Sequence, residues 1–106
     1  MPALTLVVVR CRDLEQSRRF YQATGRVLTA EQHGTGPLHY SSQMGTTVLE
    51  FYPASAAPSN VRLGVSVTDV TAAVESVRAI GGRVDREPTA QMSTVLVRDP
   101  DNNTVE

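Results

Sequence analysis

The chain has 106 residues, a net charge of −1, 41% hydrophobic residues and 20% charged residues. A chain of this size and composition can bury one core. We therefore predict a single domain over residues 1–106 and exclude that the chain as a whole is a disordered segment. All ten basic residues are arginines and eleven carboxylates balance them, so the chain lacks the basic surface that general nucleic-acid binding needs. The single cysteine excludes an internal disulfide and favours a cytoplasmic location, and no apolar run is long enough to predict a membrane span.

The first half of the chain predicts a strand, a helix and three further strands. Leu4 to Val9 is apolar and β-branched, which is typical of a buried strand. Asp13 is a predicted N-cap for a helix over residues 14–23, and Gly25 is a plausible helix stop. Three further strands are predicted at 27–31, 38–42 and 46–52, the last two forming a hairpin around Met44 and Gly45.

The second half predicts the same order of elements after a linker-like stretch at 53–60. Residues 62–67 alternate as a strand, and Asp69 caps a predicted helix that carries an apolar stripe from Val70 to Ile80. Gly81 and Gly82 end that helix. Short strands are predicted at 83–85, 93–98 and 103–106, with a tight turn at 99–102 in which Asn102 takes the left-handed conformation.

The two halves are related by a constant offset of 56 residues, which predicts a tandem duplication. The offset relates Asp13 to Asp69, Gly25 to Gly81 and Glu50 to Glu106. We therefore predict an α+β fold of two βαβββ modules, at about residues 1–54 and 60–106. The strands should form a curved mixed sheet with helices on the outer face and an open cup on the other face.

Strand alternation selects the residues that should line this cup. On the fourth strand, Leu49 and Phe51 share one face, and Glu50 and Tyr52 share the other. Alternation does not decide whether His39 or Tyr40 faces the cup. A charged residue in the middle of an apolar strand is costly unless it is paired or used. We predict a small-molecule-binding cup lined by Leu6, Val8, His39, Tyr40, Glu50, Tyr52, Arg62, Ser66 and Glu106.

Several segments resemble one known superfamily. The stretch from Asp13 to Tyr21 resembles the start of the first helix in the vicinal oxygen chelate superfamily, and Val48 to Pro53 resembles its fourth strand. Gly81 to Val84 and Asp99 to Glu106 resemble the corresponding features of its second module. That superfamily includes glyoxalase I, bleomycin-resistance proteins, fosfomycin-resistance enzymes and extradiol dioxygenases. The resemblance covers nearly the whole chain and implies the same fold.

The resemblance also identifies the positions that hold the metal in glyoxalase-like members. They correspond to Leu6, Glu50, Arg62 and Glu106. Leucine cannot ligate and arginine repels a cation, so we expect no cofactor, and any metal that did bind would use Glu50 and Glu106. We hypothesise instead that the Arg62 guanidinium bridges Glu50 and Glu106.

Three other residues have possible chemical roles. We interpret His33 as a loop residue that could cover the cup, and His39 as a structural histidine, with an acid–base role as the alternative. Cys11 lies between two arginines that could lower its pKa. No partner for nucleophilic catalysis is recognisable, so we interpret Cys11 as structural.

Three functions remain open at this point. The first is a glyoxalase/bleomycin-resistance-like protein that binds a small molecule without a metal, as the resemblance to drug-sequestering members implies. The second is a metal-dependent lyase, isomerase or dioxygenase that uses Glu50 and Glu106. The third is a structural or regulatory module with a vestigial cup. We also expect a homodimer, because related chains complete the cup by pairing modules across a two-fold axis.

Overall fold

The computed structural model describes residues 1–106 and contains two successive βαβββ modules. The α+β fold class and the tandem order of elements are therefore confirmed. The elements of the first module are β1 (Leu6–Cys11), α1 (Leu14–Ala23), β2 (Thr29–Glu31), β3 (His39–Met44) and β4 (Thr47–Pro53). Those of the second module are β5 (Arg62–Leu63), α2 (Val70–Ala79), β6 (Arg83–Arg86), β7 (Leu96–Arg98) and β8 (Thr104–Val105).

Each module forms its own four-stranded mixed sheet. The strand orders are β1-β4-β3-β2 and β5-β8-β7-β6. In both sheets the first strand pairs parallel with the last, and the other pairs are antiparallel. Neither helix is long and apolar enough to cross a membrane.

Both helices begin and end where the sequence predicts. The Asp13 carboxylate accepts a hydrogen bond from the Gln16 amide at 3.1 Å, and Asp69 accepts one from Ala72 at 3.0 Å. These caps satisfy amide groups that have no partner inside the helix. Gly81 follows the second helix with a positive φ of 79°, a conformation that other residues rarely adopt.

Three strands of the second module are shorter than predicted. The strand expected at 62–67 is paired as a strand only over Arg62–Leu63, the one expected at 93–98 only over Leu96–Arg98, and the one expected at 103–106 only over Thr104–Val105. The Val65 amide still donates to the Glu106 carbonyl at 2.7 Å, but β8 offers no hydrogen-bond partner to the residues that follow Val65. Alternating apolar residues alone do not make a strand without a neighbour to pair with.

The core lies between the sheets and the helices and includes side chains from both modules. Phe51 and Val9 are fully buried and pack with Val105 and Val77 of the second module. A hydrogen bond from the Tyr21 hydroxyl to the Asp99 carboxylate, 2.7 Å long, joins α1 to the turn before β8. The two modules therefore share one core.

Candidate functional site

The face of the first sheet that points away from the helices carries exposed apolar side chains. Leu6 and Val8 on β1 are 50% and 36% exposed, whereas Val9 between Val8 and Arg10 is buried in the core. Val8 pairs in register with Glu50 on β4, so both lie on the same face of the sheet. Glu50 is half-buried there, while Leu49 and Phe51 on either side of it are buried in the core. The predicted alternation along β4 therefore agrees with the structure.

The pairing of β3 with β4 decides which of two neighbouring residues faces the cup. Ser41 pairs with Glu50 and Tyr40 with Phe51, so Ser41 and His39 lie on the cup face. Tyr40 lies on the opposite face, where its hydroxyl donates to the Glu15 carboxylate of α1 at 2.6 Å. The inclusion of Tyr40 in the cup is therefore wrong.

His39 is the centre of a group of carboxylate and imidazole side chains. It is 1% exposed, and its Nε2 atom lies 3.6 Å from a carboxylate oxygen of Glu31 and 3.6 Å from one of Glu50. His33 lies beside it, with ring centroids 5.2 Å apart. The ligand atoms of Glu31, His33 and His39 all lie within 4.8 Å of one another.

Sequence reasoning missed Glu31 and did not predict that His33 and His39 lie side by side. Glu31 and His39 are directly paired across β2 and β3, and the loop between these strands places His33 beside them. The sequence signal for this cluster was the Glu-x-His spacing of Glu31 and His33, with His39 six residues after His33. This spacing could be interpreted only once the register of the strands was known.

Tyr52 closes one side of this cluster. Its ring stacks on the imidazole of His39 with centroids 4.1 Å apart and planes 9° apart. The guanidinium of Arg10 lies 5.0 Å from the centre of the same tyrosine ring, at cation–π distance. The stack holds His39 in one orientation and leaves its Nε2 directed at the two carboxylates.

An open cleft of about 680 Å³ lies over this face of the first sheet. Glu31, His33 and Glu50 line it together with Ser41 and Val48. Its lining is mainly polar, and the exposed apolar side chains of β1 lie on the strand next to Val48 and Glu50. The cleft therefore offers a few charged anchors beside an apolar strip.

The predicted bridge between the two modules is only half formed. The Arg62 Nε donates to the Glu106 carboxylate at 3.0 Å, and this contact lowers the pKa of Glu106 and raises the pKa of Arg62. Glu50 makes no ion pair with Arg62, because its carboxylate lies beside His39 instead. The hypothesis that Arg62 joins both carboxylates is therefore wrong.

Two further predicted residues lie away from the cleft. The Ser66 carbonyl accepts a hydrogen bond from Arg26 at 3.1 Å, and Ser66 lines a groove beside the end of α1 and the start of α2. Glu106 borders an apolar groove along α2. The structure thus brings His39, Glu50 and Tyr52 together, next to Leu6 and Val8, and does not bring Arg62, Ser66 and Glu106 to the same cleft.

Cys11 is not an activated thiol. It is 1% exposed in the core, and this burial raises the pKa of Cys11 to about 11. The neighbouring carboxylates of Asp101 and Asp99 raise it further, whereas the flanking arginines do not lower it. The interpretation of Cys11 as a structural residue fits this environment.

One of the comparisons with known proteins identifies the family. A profile of the Glyoxalase/Bleomycin resistance protein/Dioxygenase superfamily matches residues 3–106. The chain therefore belongs to this superfamily. No curated protein matches the sequence.

Solved structures share the fold at low sequence identity. The antibiotic-binding protein TnmS3 from Streptomyces sp. CB03234 has a TM-score of 0.72 and 23% identity, over 99% of this chain and 93% of that one. Lactoylglutathione lyase from Agrobacterium tumefaciens has a TM-score of 0.63 and 18% identity, over 97% and 90%. A glyoxalase-related enzyme from Fulvimarina pelagi has a TM-score of 0.69 and 20% identity, over 99% and 86%.

The metal of glyoxalase-like members does not fit the four matching positions of this chain. Leu6 has no donor atom, and Arg62 places a guanidinium on the Glu106 carboxylate that would have to ligate. Glu50 interacts with His39 instead of these residues. This set of four side chains cannot form that site.

Proposed function

We propose that this chain binds a small organic molecule on the cup face of its first module and does not use a metal at the four positions of glyoxalase-like members. The observation that carries the proposal is Glu50, a carboxylate on the cup face of β4 with no arginine partner. Exposed Leu6 and Val8 supply apolar surface on the adjacent strand. An apolar surface with a few convergent polar groups is the usual composition of a small-molecule site.

The charges of the cleft define the class of ligand. Neither Glu31 nor Glu50 forms an ion pair with an arginine. Two carboxylates, Glu31 and Glu50, and one guanidinium, that of Arg26, line the cleft, and the Arg26 guanidinium donates to the Ser66 carbonyl at 3.1 Å. The cleft therefore carries net negative charge beside an apolar strip. The ligand we propose has an apolar or aromatic body and a positively charged or hydrogen-bond-donating group. The antibiotic-binding neighbour supports this proposal only as an example of the fold used for binding.

A pair of dyes of opposite charge tests this proposal. Thioflavin T is aromatic and cationic, and anilinonaphthalene sulfonate is aromatic and anionic. We expect saturable binding of thioflavin T, measured by fluorescence titration with EDTA present. The Glu50→Gln variant should weaken that binding about tenfold, because it removes the charged anchor.

The control for this experiment is Glu75→Gln, which makes the same change of charge on the exposed face of α2. It should bind thioflavin T as the unchanged protein does. Stronger binding of the anionic dye, or equal effects of the two substitutions, would show that Glu50 is not the anchor.

We also propose that the chain forms a homodimer in solution. Only 16 of the 106 residues are buried, and the molecule measures 48 × 38 × 22 Å, which is flat for its length. Apolar side chains on β1 remain exposed. Light scattering after size-exclusion chromatography should give twice the monomer mass of 11.5 kDa. A mass of one chain at about 0.1 mM protein would contradict the dimer.

A further inference from the structure

We propose that Glu31, His33 and His39 form a binding site for a divalent first-row transition-metal ion. The site differs from the four positions used by glyoxalase-like relatives and lies within the first module alone. The proposal goes beyond the binding of an organic ligand and does not depend on it.

The tautomer of His39 is the first observation. Its Nδ1 lies 3.2 Å from the Pro37 carbonyl, and a carbonyl can only accept, so Nδ1 carries the hydrogen. In the neutral ring, Nε2 then has a lone pair and lies beside the Glu31 and Glu50 carboxylates. Metal-binding histidines commonly donate a hydrogen bond from their second ring nitrogen to a backbone carbonyl in this way.

The unsatisfied state of Nε2 is the second observation. The atom is buried and has no hydrogen-bond partner, although the great majority of buried polar atoms have one. Carboxylate oxygens of Glu31 and Glu50 each lie 3.6 Å from it. When Nε2 carries no hydrogen, this nitrogen and both oxygens are acceptors, and acceptors this close repel one another unless a cation lies between them.

The distances match a shared metal ion better than a shared proton. Two ligands at metal distances of about 2.1 Å in tetrahedral geometry lie about 3.4 Å apart. The separation of 3.6 Å between Nε2 and the Glu31 oxygen is close to that value and is too long for a hydrogen bond. His33 adds a second imidazole within 4.8 Å of these atoms, which an imidazolium ion pair would not require.

The donor atoms define the class of metal. Two imidazole nitrogens with one carboxylate oxygen suit Zn²⁺, Ni²⁺, Co²⁺ or Fe²⁺, whereas Mg²⁺ and Ca²⁺ prefer oxygen donors alone. The Glu50 carboxylate, also 3.6 Å from the His39 Nε2, offers a further oxygen. Glu31 and His33 also line the open cleft, so an ion at this site would be accessible from it.

The test is metal binding by protein without a histidine tag, since a tag binds the same ions. Equilibrium dialysis against Zn²⁺ followed by elemental analysis should give one ion per chain. A Co²⁺ titration followed by visible absorption should show the bands of a nitrogen- and oxygen-ligated ion. His33→Ala and Glu31→Gln should each weaken binding at least about tenfold.

Glu106→Gln is the matched control. Glu106 occupies one of the four positions that hold the metal in glyoxalase-like relatives, and it lies outside the cluster of Glu31, His33 and His39. It should bind metal as the unchanged protein does. His33 is exposed, so its replacement should leave the fold intact, which circular dichroism can verify. Three results would overturn the proposal: no retained metal, unchanged affinity in His33→Ala, or an equal loss in Glu106→Gln.

The two proposals fail separately. Glu50→Gln should weaken dye binding in EDTA, whereas Glu75→Gln, on the exposed face of α2, should leave it unchanged. Metal binding without dye binding would overturn the proposed organic ligand and keep the metal site. Dye binding without metal binding would overturn the metal site and keep the proposed organic ligand.

Discussion

Replacing Asp99 with alanine should lower the free energy of unfolding by about 3–5 kcal/mol. The buried Asp99 carboxylate accepts four hydrogen bonds. The donors are the Tyr21 hydroxyl at 2.7 Å, the Asn103 amide at 2.8 Å, the Asn103 side chain at 2.9 Å and the Asp101 amide at 2.9 Å. Its loss leaves buried donors without a partner and separates the turn before β8 from α1. Urea unfolding followed by circular dichroism measures the effect.

Tyr21→Phe separates the contact between modules from the local turn. It removes one donor and keeps the aromatic ring in the core, so we expect a loss of about 1–2 kcal/mol. Burial and the adjacent Asp99 carboxylate raise the pKa of Tyr21 far above its usual range, so the hydroxyl remains a donor at any ordinary pH. A loss in Asp99→Ala no larger than that in Tyr21→Phe would contradict a shared network.

Replacing Phe51 with alanine should cost about 3–5 kcal/mol of stability, because it empties a fully enclosed position. Phe51 has no exposed surface, and its ring lies 4.4 Å from that of Tyr21. It also belongs to the core cluster that includes Val105 of the second module. The lost contacts therefore affect both modules, and unfolding should remain a single transition at lower urea concentration.

Val48→Ala is the matched control on the same strand. Val48 lies on the cup face and is only half-buried, so its truncation should cost about 1 kcal/mol or less. Equal losses at the two positions would mean that β4 does not separate a core face from a cup face. The predicted difference also indicates that cup-face variants such as Glu50→Gln can be made without unfolding the protein.

The two proposals together assign two kinds of recognition to the cup face of one sheet. Glu50 and the exposed β1 side chains are the proposed contacts for an organic molecule, and Glu31, His33 and His39 are the proposed ligands of a metal ion. The Tyr52 ring, stacked on His39, lies between the exposed Arg10 and the cluster. An ion bound at Glu31 would reduce the negative charge of the cleft and weaken cationic ligands.

Much of the fold could be predicted from local sequence signals. Asp13 and Asp69 have the capping side chains that helix starts require, and the structure shows both caps in place. Asn102 has a positive φ of 68°, as its place in a tight turn predicted. The alternation along β4 separated Phe51 from Glu50, because side chains of a strand point alternately to its two faces.

The candidate site depends on contacts between residues that are distant in sequence or on different strands. Glu31 meets His39 through the register of β2 and β3, and that register turns His39 toward the cup and Tyr40 toward α1. Arg62 binds Glu106 alone because Glu50 belongs to the other sheet. Caps, turns and alternation follow from the chain's own dihedral preferences. Strand register and the packing of two modules depend on the total energy of many distant contacts, which no short segment encodes.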